Sequence, residues 1–401
     1  MRRQPRDDGA RDHLRLAQAE GVGPVAYRRL MRRYGSPTAA LAALPELARA
    51  GGRADPLAIP STSEAERELD RLARLGGRML VLDQPDYPPL LALLDDAPPV
   101  LFVLGDPAVL TCRAVALVGG RNASANGLRI AETLAAELAG AGLVVVSGLA
   151  RGIDAAAHEG ALGACPEGDR PLTARTAAVV AGGLDEPYPP EHADLQRRIA
   201  ETGAVVSEAP LGTVPQSRHF PRRNRVIAGL SLGVVVIEAA PRSGSLITAR
   251  LAQEAGRELF AVPGSPLDPR ARGSNDLIRE GAHLTESAAD VLANLPDHPL
   301  RQGLGRDPLF AGQMPPGLAE PPAPAPEPRN DHAETPKDLA QVRARVVDLL
   351  GPSPTVVDDL VRRCQFSAAA VMAALLELEL AGRIETLPGH RVALLSRHSP
   401  F

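Results

Sequence analysis

Between Arg113 and Leu295 the chain alternates between two patterns. Six short runs are apolar at nearly every position and rich in valine: AVALVG (114–119), LVVVSG (143–148), AAVVAGG (177–183), AVVSE (204–208), GVVVIEA (233–239) and ELFAVPG (258–264). The stretches between them, including 126–141, 152–163, 221–230 and 245–256, carry apolar residues at helical spacing. A strand with one wet face alternates apolar and polar residues, so runs that stay apolar throughout predict strands covered on both faces. The fold class expected is therefore α/β: a doubly wound, mostly parallel sheet with helices on either side. Such sheets bind ligands beyond the carboxyl ends of their strands. The runs end in Gly, Ser-Glu or Glu-Ala turns, which predicts a groove floored by small residues along that edge.

The flanking stretches read differently. Residues 12–80 are rich in Leu and Ala at helical spacing, broken at GVGP (21–24), YGSP (34–37) and ADPLAIPS (54–61). A bridging segment, PDYPPLLALLDDAPPVLFVLGD (85–106), leads into the sheet region. Residues 296–336 are dominated by Pro, Ala and Glu, a composition that reads as an extended linker. Three helices near 338–350, 355–364 and 367–381, followed by GRIETLPGHRVALL, have the order of a winged helix. The expected organisation is thus a helical module over 1–84, a sheet domain over 85–295, a linker over 296–336 and a winged helix over 337–401. The Gly-x-Gly hairpin at 21–23 is similar to helix-hairpin-helix or SAM-like modules, and Arg28, Arg29, Arg32 and Arg33 crowd the helix after it. DNA contact and simple packing both fit that module. The third helix of the last module carries Glu377 and Glu379 and no basic residue. Helices that read a major groove normally present Arg, Lys, Asn or Gln, so this one is expected to bind a partner instead.

Composition narrows the function. The 401 residues carry a formal net charge of -4, only 2% aromatic residues and no Trp. Lys337 is the single lysine, so cationic contacts rest on arginine, whose planar guanidinium suits phosphate. Cys112, Cys165 and Cys364 are too scattered for a disulfide framework or a zinc site and fit a reducing cytosol. The charged start lacks the apolar core of a signal peptide, and no apolar run is long enough to span a bilayer. A cytoplasmic protein without metal, cofactor or membrane contact is expected.

Against that acidic average, SRHFPRRNR (217–225) gathers Arg218, His219, Arg222, Arg223 and Arg225 around Phe220, with Asn224 among them. Cations in the opening turn of a helix oppose its dipole, so an anionic partner would offset their cost; a solvated charged turn is the plain alternative. Other turns on the same edge carry matching residues. GGRNASANG places Gly119, Gly120, Arg121, Ser124 and Gly127 at a helix start, where free amides attract anions. SGLARGIDAAAHEGAL supplies Ser147, Gly148, Arg151 and Gly152, and AVVAGG supplies Gly182 and Gly183. EAAPRSGSLITAR opens a helix with Ser243, Gly244 and Ser245. None of these is a GxGxxG or Walker loop, so ordinary dinucleotide or ATP binding is not supported. Asp154 and His158, four apart on one helix face, are either an acid–base pair or a cap with an internal hydrogen bond.

Taken together, VALVGGRNASANG, VVVSGLARGIDAAAHEGAL, GGLDEPYPPEH, HFPRRNRVIAGLS and VVVIEAAPRSGSLITARLAQEAG resemble the DNA-processing protein A (DprA/Smf) family, from about Asp86 to Leu295. The resemblance implies an extended Rossmann fold and a non-catalytic binder of single-stranded DNA. It also implies a protein that protects incoming DNA in natural transformation, loads the RecA recombinase and forms a homodimer. The family's Gly-Ser-Arg loop falls on Gly119, Gly120 and Arg121, with glycine standing where serine is usual. A lysine common before the third strand is matched by Arg175. Two other readings remain open on residues alone: a nucleotide phosphoribohydrolase using Glu238, and a duplex-reading regulator using the winged helix.

Overall fold

The computed structural model describes residues 8–164, 176–296, 336–351, 353–387 and 390–395. Nearly all of the predicted linker, together with Arg175 and Cys165, lies outside these residues. The chain divides into two compact units, one of residues 1–14 and 61–298, the other of residues 15–60 and 299–401.

Four helices come first: α1 (Asp8–Ala17), α2 (Pro24–Tyr34), α3 (Pro37–Ala50) and α4 (Thr62–Arg74). Strand β1 (Arg78–Val81), the short helix α5 (Pro89–Ala92) and β2 (Val100–Gly105) follow. The α/β alternation then runs β3 (Ala114–Gly119), α6 (Ala125–Gly140), β4 (Val144–Ser147), α7 (Ile153–Leu162), β5 (Thr176–Val179), α8 (Ala193–Thr202) and β6 (Ala204–Ser207). It continues with α9 (His219–Leu230), β7 (Gly233–Ile237), α10 (Gly244–Glu254), β8 (Glu258–Ala261), α11 (Arg272–Arg279), β9 (His283–Leu284) and α12 (Ala288–Asn294).

These strands form one sheet in the order β1-β2-β6-β5-β4-β3-β7-β8-β9, parallel from β6 through β9. The six runs read from sequence are β3 to β8, and the fold class is the one they predict. Beyond them, β2 pairs antiparallel with β6, and β1 pairs antiparallel with β2 at the edge. Strand β1 falls within the stretch assigned to the helical module. Helix α9 starts at His219, two residues before the predicted boundary, so Phe220 lies in its first turn rather than on the preceding loop.

Successive side chains of a strand point to opposite faces, and the core follows that rule. Val144, Val146, Val234 and Val236 pack with Val226, Ile227 and Ala249 on one face. Val115, Leu117, Val145 and Val235 pack with Leu134, Leu138 and Ala157 on the other. The parallel order reverses at β3, which has β4 on one side and β7 on the other. That switch point and its neighbours place the loops after β3, β4, β5 and β7 along a single edge.

In the second unit, α2 and α3 share a core with the C-terminal module. That module comprises α13 (Pro336–Leu349), β10 (Thr355–Val356), α14 (Val357–Cys364), α15 (Ala368–Leu380), β11 (Ile384–Leu387) and β12 (Arg391–Leu394). Its three strands pair antiparallel in the order β10-β12-β11, which with three helices makes a winged helix. Among the described residues no helix is long and apolar enough to cross a membrane.

Candidate nucleic-acid interface

The carboxyl ends of β3, β4 and β5 and the first turn of α9 line a small hollow that opens to solvent. Each element contributes what its sequence suggested: Arg121 from the loop after β3, Gly148 and Arg151 from the loop after β4, Gly182 from the loop after β5, and Phe220 and Arg223 from α9. The Arg121 guanidinium lies over the Phe220 ring, with its Cζ 4.9 Å from the ring centroid, and the Arg223 Cζ is 5.9 Å away. Guanidiniums at these distances are attracted by the ring's quadrupole. Tyr188 stands beside Phe220 with ring centroids 5.8 Å apart, tilted by 57°. Arg121 is exposed and forms no ion pair with a described residue. A half-buried aromatic ring thus sits under an available guanidinium at the end of a parallel sheet.

The arginines of the 218–225 segment divide by depth. Arg218 and Arg222 are exposed. Arg223, expected at a phosphate, is buried: its Nη1 donates to the Gly148 carbonyl and, at 2.6 Å, to the Val179 carbonyl, and its Nε donates to Asn224 Oδ1 at 3.2 Å. It ties the ends of β4 and β5 to α9. The buried Asp154 carboxylate lies beside it and accepts from the amides of Gly148 (3.1 Å) and Ala150 (3.4 Å). Burial raises the pKa of Asp154 against the opposing pull of Arg223. Burial also lowers that of Arg223 to about 10, so it remains a cation at neutral pH. A Cβ on Gly148 would lie 2.1 Å from Arg223 Nη1, so a larger residue there would displace that guanidinium. Arg225 is likewise turned inward and pairs with Glu208 and the Asp96 carbonyl. Arg151 is exposed and pairs with Glu191. Asn224 donates to the Gly244 carbonyl at 3.3 Å, joining α9 to the start of α10.

Several residues expected to meet phosphate have protein partners instead. The start of α6 is occupied by Glu238, whose carboxylate accepts from the Ser124 amide at 2.8 Å and from the Ser124 hydroxyl. Ser124 Oγ in turn caps the helix through the Gly127 amide at 2.9 Å, and a Cβ on Gly127 would lie 2.6 Å from the Glu238 carboxyl carbon. A carboxylate of the chain itself therefore fills the position where a cofactor phosphate would sit in a dinucleotide fold. The same contacts hold the Glu238 carboxylate at the start of α6. Ser147 donates to the Leu117 carbonyl at 2.6 Å and is buried. Ser243 caps α10, accepting from the Ser245 amide at 3.4 Å, and neither these serines nor Gly244 lines the hollow. Gly119 and Gly152 are sites of close backbone packing, because a Cβ would come within 2.0 Å of the Ile237 carbonyl and 2.3 Å of the Gly120 carbonyl respectively. Gly183 is buried and donates to the Thr213 carbonyl. Gly120 has more room, its Cβ position being 3.3 Å from the Glu238 carbonyl. His219 Nδ1 accepts from the Gln216 amide at 3.2 Å, and burial with its arginine neighbours lowers its pKa.

Asp154 and His158 do not form an acid–base pair. His158 is fully buried, with Nδ1 2.7 Å from Thr176 Oγ1, and that hydroxyl donates to the Val145 carbonyl. Burial foremost, then the positive charge of Arg223 and the proximity of His192, lower the His158 pKa to about 3. The unfolded chain takes up a proton near pH 6.5 that the native imidazole refuses, so this term leaves stability intact above that pH and erodes it below. The cost reaches about 2 kcal/mol by pH 5. Urea unfolding at pH 7.5 and pH 5.0 should show the wild type losing that much more than His158→Asn; equal losses would exclude the buried neutral histidine.

Tyr188 was not singled out from sequence. Its signal was there: one of four tyrosines in a chain with 2% aromatic residues, set between Pro187 and Pro189 in the loop that follows β5.

With this geometry in hand, three family profiles account for the chain. The one described as DNA recombination-mediator protein A matches residues 78–296, the DprA-like N-terminal HHH domain matches residues 7–70, and the DprA winged helix domain matches residues 320–390. The chain is 33% identical to Protein Smf of Synechocystis over 94% of its own length and 97% of the relative's. It is 38% identical to Protein Smf of Escherichia coli, covering 84% of this chain and 83% of that one. Among solved structures, DNA processing protein A from Streptococcus pneumoniae superposes with a TM-score of 0.62 at 35% identity, over 72% of this chain and 99% of that one. The sheet, the helical N-terminal module and the winged helix all agree with these matches, and the chain belongs to the DNA recombination-mediator protein A family of DNA-processing proteins.

Proposed function

We propose that the hollow at the ends of β3, β4 and β5 binds single-stranded DNA without regard to sequence. The observation that carries this reading is the packing of Arg121, Phe220 and Tyr188 on one another at the edge where the family's Gly-Ser-Arg loop and basic-aromatic segment meet. Phe220 offers a face to one base, and Arg121, Arg151, Arg218 and Arg222 offer donors to the backbone on either side. Phosphate and stacking contacts carry little base information, so sequence tolerance follows. Duplex DNA keeps its bases stacked inside and presents no free face to Phe220, which favours the single strand.

Within this reading the protein acts without catalysis. It coats incoming single strands during transformation and recombination, hands them to the RecA recombinase, and works in the cytosol as a homodimer. The sheet domain supplies the strand-binding surface, with a helical module before it and a winged helix after the linker.

The decisive measurement is the salt dependence of binding to oligo(dT) and to a mixed-sequence strand. Arg121→Ala should weaken both equally and reduce the log–log salt slope by about 0.7, the value for one phosphate contact on a single strand. An unchanged slope would remove this hollow from the binding surface.

A further inference from the structure

Helix α15 occupies the position of the recognition helix in a winged helix, where polar side chains on the outward face would enter a major groove. Here the helix is apolar all round, which marks a helix buried on more than one side. Val371, Ala374, Leu375 and Leu378 pack into the winged helix's own core with Val342 and Leu360. Leu376 and Leu380 leave that core and join Leu16, Tyr27, Leu30 and Leu44 of the N-terminal helices. Both are essentially inaccessible to solvent. Glu377 is also buried and is neutralised by Arg343 of α13. Glu379 lies 4.0 Å from Arg29 of α2, so one arginine of that crowded helix faces the winged helix.

Gly51 supplies an independent sign that the two modules are shaped for each other. It follows α3 with φ −68° and ψ −7°, right-handed helical angles that any residue adopts. Its own backbone gives no reason for glycine. A Cβ there would lie 1.9 Å from the Glu377 carbonyl oxygen and 2.8 Å from the Ala381 Cβ. The missing side chain is what lets the end of α3 touch the backbone of α15. At the same end of α15, the Gly21 Cβ position is 3.4 Å from the Leu380 carbonyl, so the Gly-x-Gly hairpin also abuts this helix.

We propose that the third helix of the winged helix is a dedicated dock for the chain's own N-terminal helical module and does not read duplex DNA. The outward ridge that would enter a groove is apolar and acidic, and it is covered by α2, α3 and the 21–23 hairpin.

The test uses full-length Gly51→Gln, which wedges the contact from the helical side, and full-length Leu376→Gln, which removes an apolar anchor from the other side. Amide hydrogen exchange in α2 and α3 should accelerate at least about tenfold in both, the effect expected from uncovering buried leucine surface. Exchange in α6 and α13 should stay at the wild-type rate. Neither variant should gain affinity for a short DNA duplex over the wild type. If α13 also loses protection in Leu376→Gln, that variant has unfolded its winged helix and Gly51→Gln decides. Unchanged exchange in α2 and α3 would overturn the dock. A gain in salt-dependent duplex affinity would reveal a masked groove reader and overturn it equally. Wild-type protection that grows with protein concentration would place the contact between two copies and exclude the chain's own module as the partner.

Discussion

Arg223→Ala is expected to destabilise the sheet domain by about 3–5 kcal/mol, the usual cost of deleting one member of a buried charged pair. Nothing else near the hollow should approach that effect. The guanidinium satisfies the carbonyls of Gly148 and Val179 and offsets the buried carboxylate of Asp154. Alanine takes the guanidinium from those two carbonyls and leaves Asp154 without the larger of its two opposing positive charges. It also removes the guanidinium whose Cζ lies 5.9 Å from the Phe220 ring centroid. Chemical denaturation followed by circular dichroism measures the loss directly. Arg223→Lys should recover part of it, since one ammonium can reach one carbonyl but does not reproduce the planar fork. Arg121→Ala removes an exposed side chain and should change stability by no more than about 0.5 kcal/mol. A loss below 1 kcal/mol in Arg223→Ala would mean that the buried network does not hold the strand ends together. An arginine read from sequence as a phosphate grip is thus expected to act through the architecture of the site, while Arg121 acts on the ligand.

Phe220→Ala should weaken single-strand binding by about 10- to 100-fold, corresponding to about 1–3 kcal/mol of base stacking. The salt slope should stay close to the wild-type value, because no cation is removed. That separates this variant from Arg121→Ala, which loses less affinity but flattens the slope. Phe220→Tyr keeps the aromatic face and should bind within about threefold of the wild type, whereas Phe220→Leu keeps the apolar bulk without the face and should behave like alanine. Fluorescence anisotropy on one labelled strand across a salt series gives both quantities. Full affinity in Phe220→Leu would show that the ring supports the arginines without meeting a base. Tyr188 would then be the remaining aromatic platform in the hollow.

Some properties of this protein were determined by the sequence alone. Apolar runs alternating with helical stretches pointed to a parallel sheet covered on both faces, and small residues after those runs marked the edge on which the hollow opens. The order of the last helices and hairpin specified a winged helix, and the lack of basic residues in its third helix already argued against groove reading. These are local properties, carried by spacing and composition within a dozen residues. Tertiary structure alone decided which way each arginine points. Arg222 and Arg223 are neighbours with the same chemistry, yet one is exposed and the other is buried against Gly148, 75 residues away. The same holds for Glu238, which fills the start of α6 from 114 residues along the chain, and for Gly51, whose missing side chain makes sense only once α15 lies against it. A guanidinium or a carboxylate suits solvent or a buried partner equally well by composition. Which it meets depends on the surfaces that distant segments bring to it, and those exist only after the chain has folded.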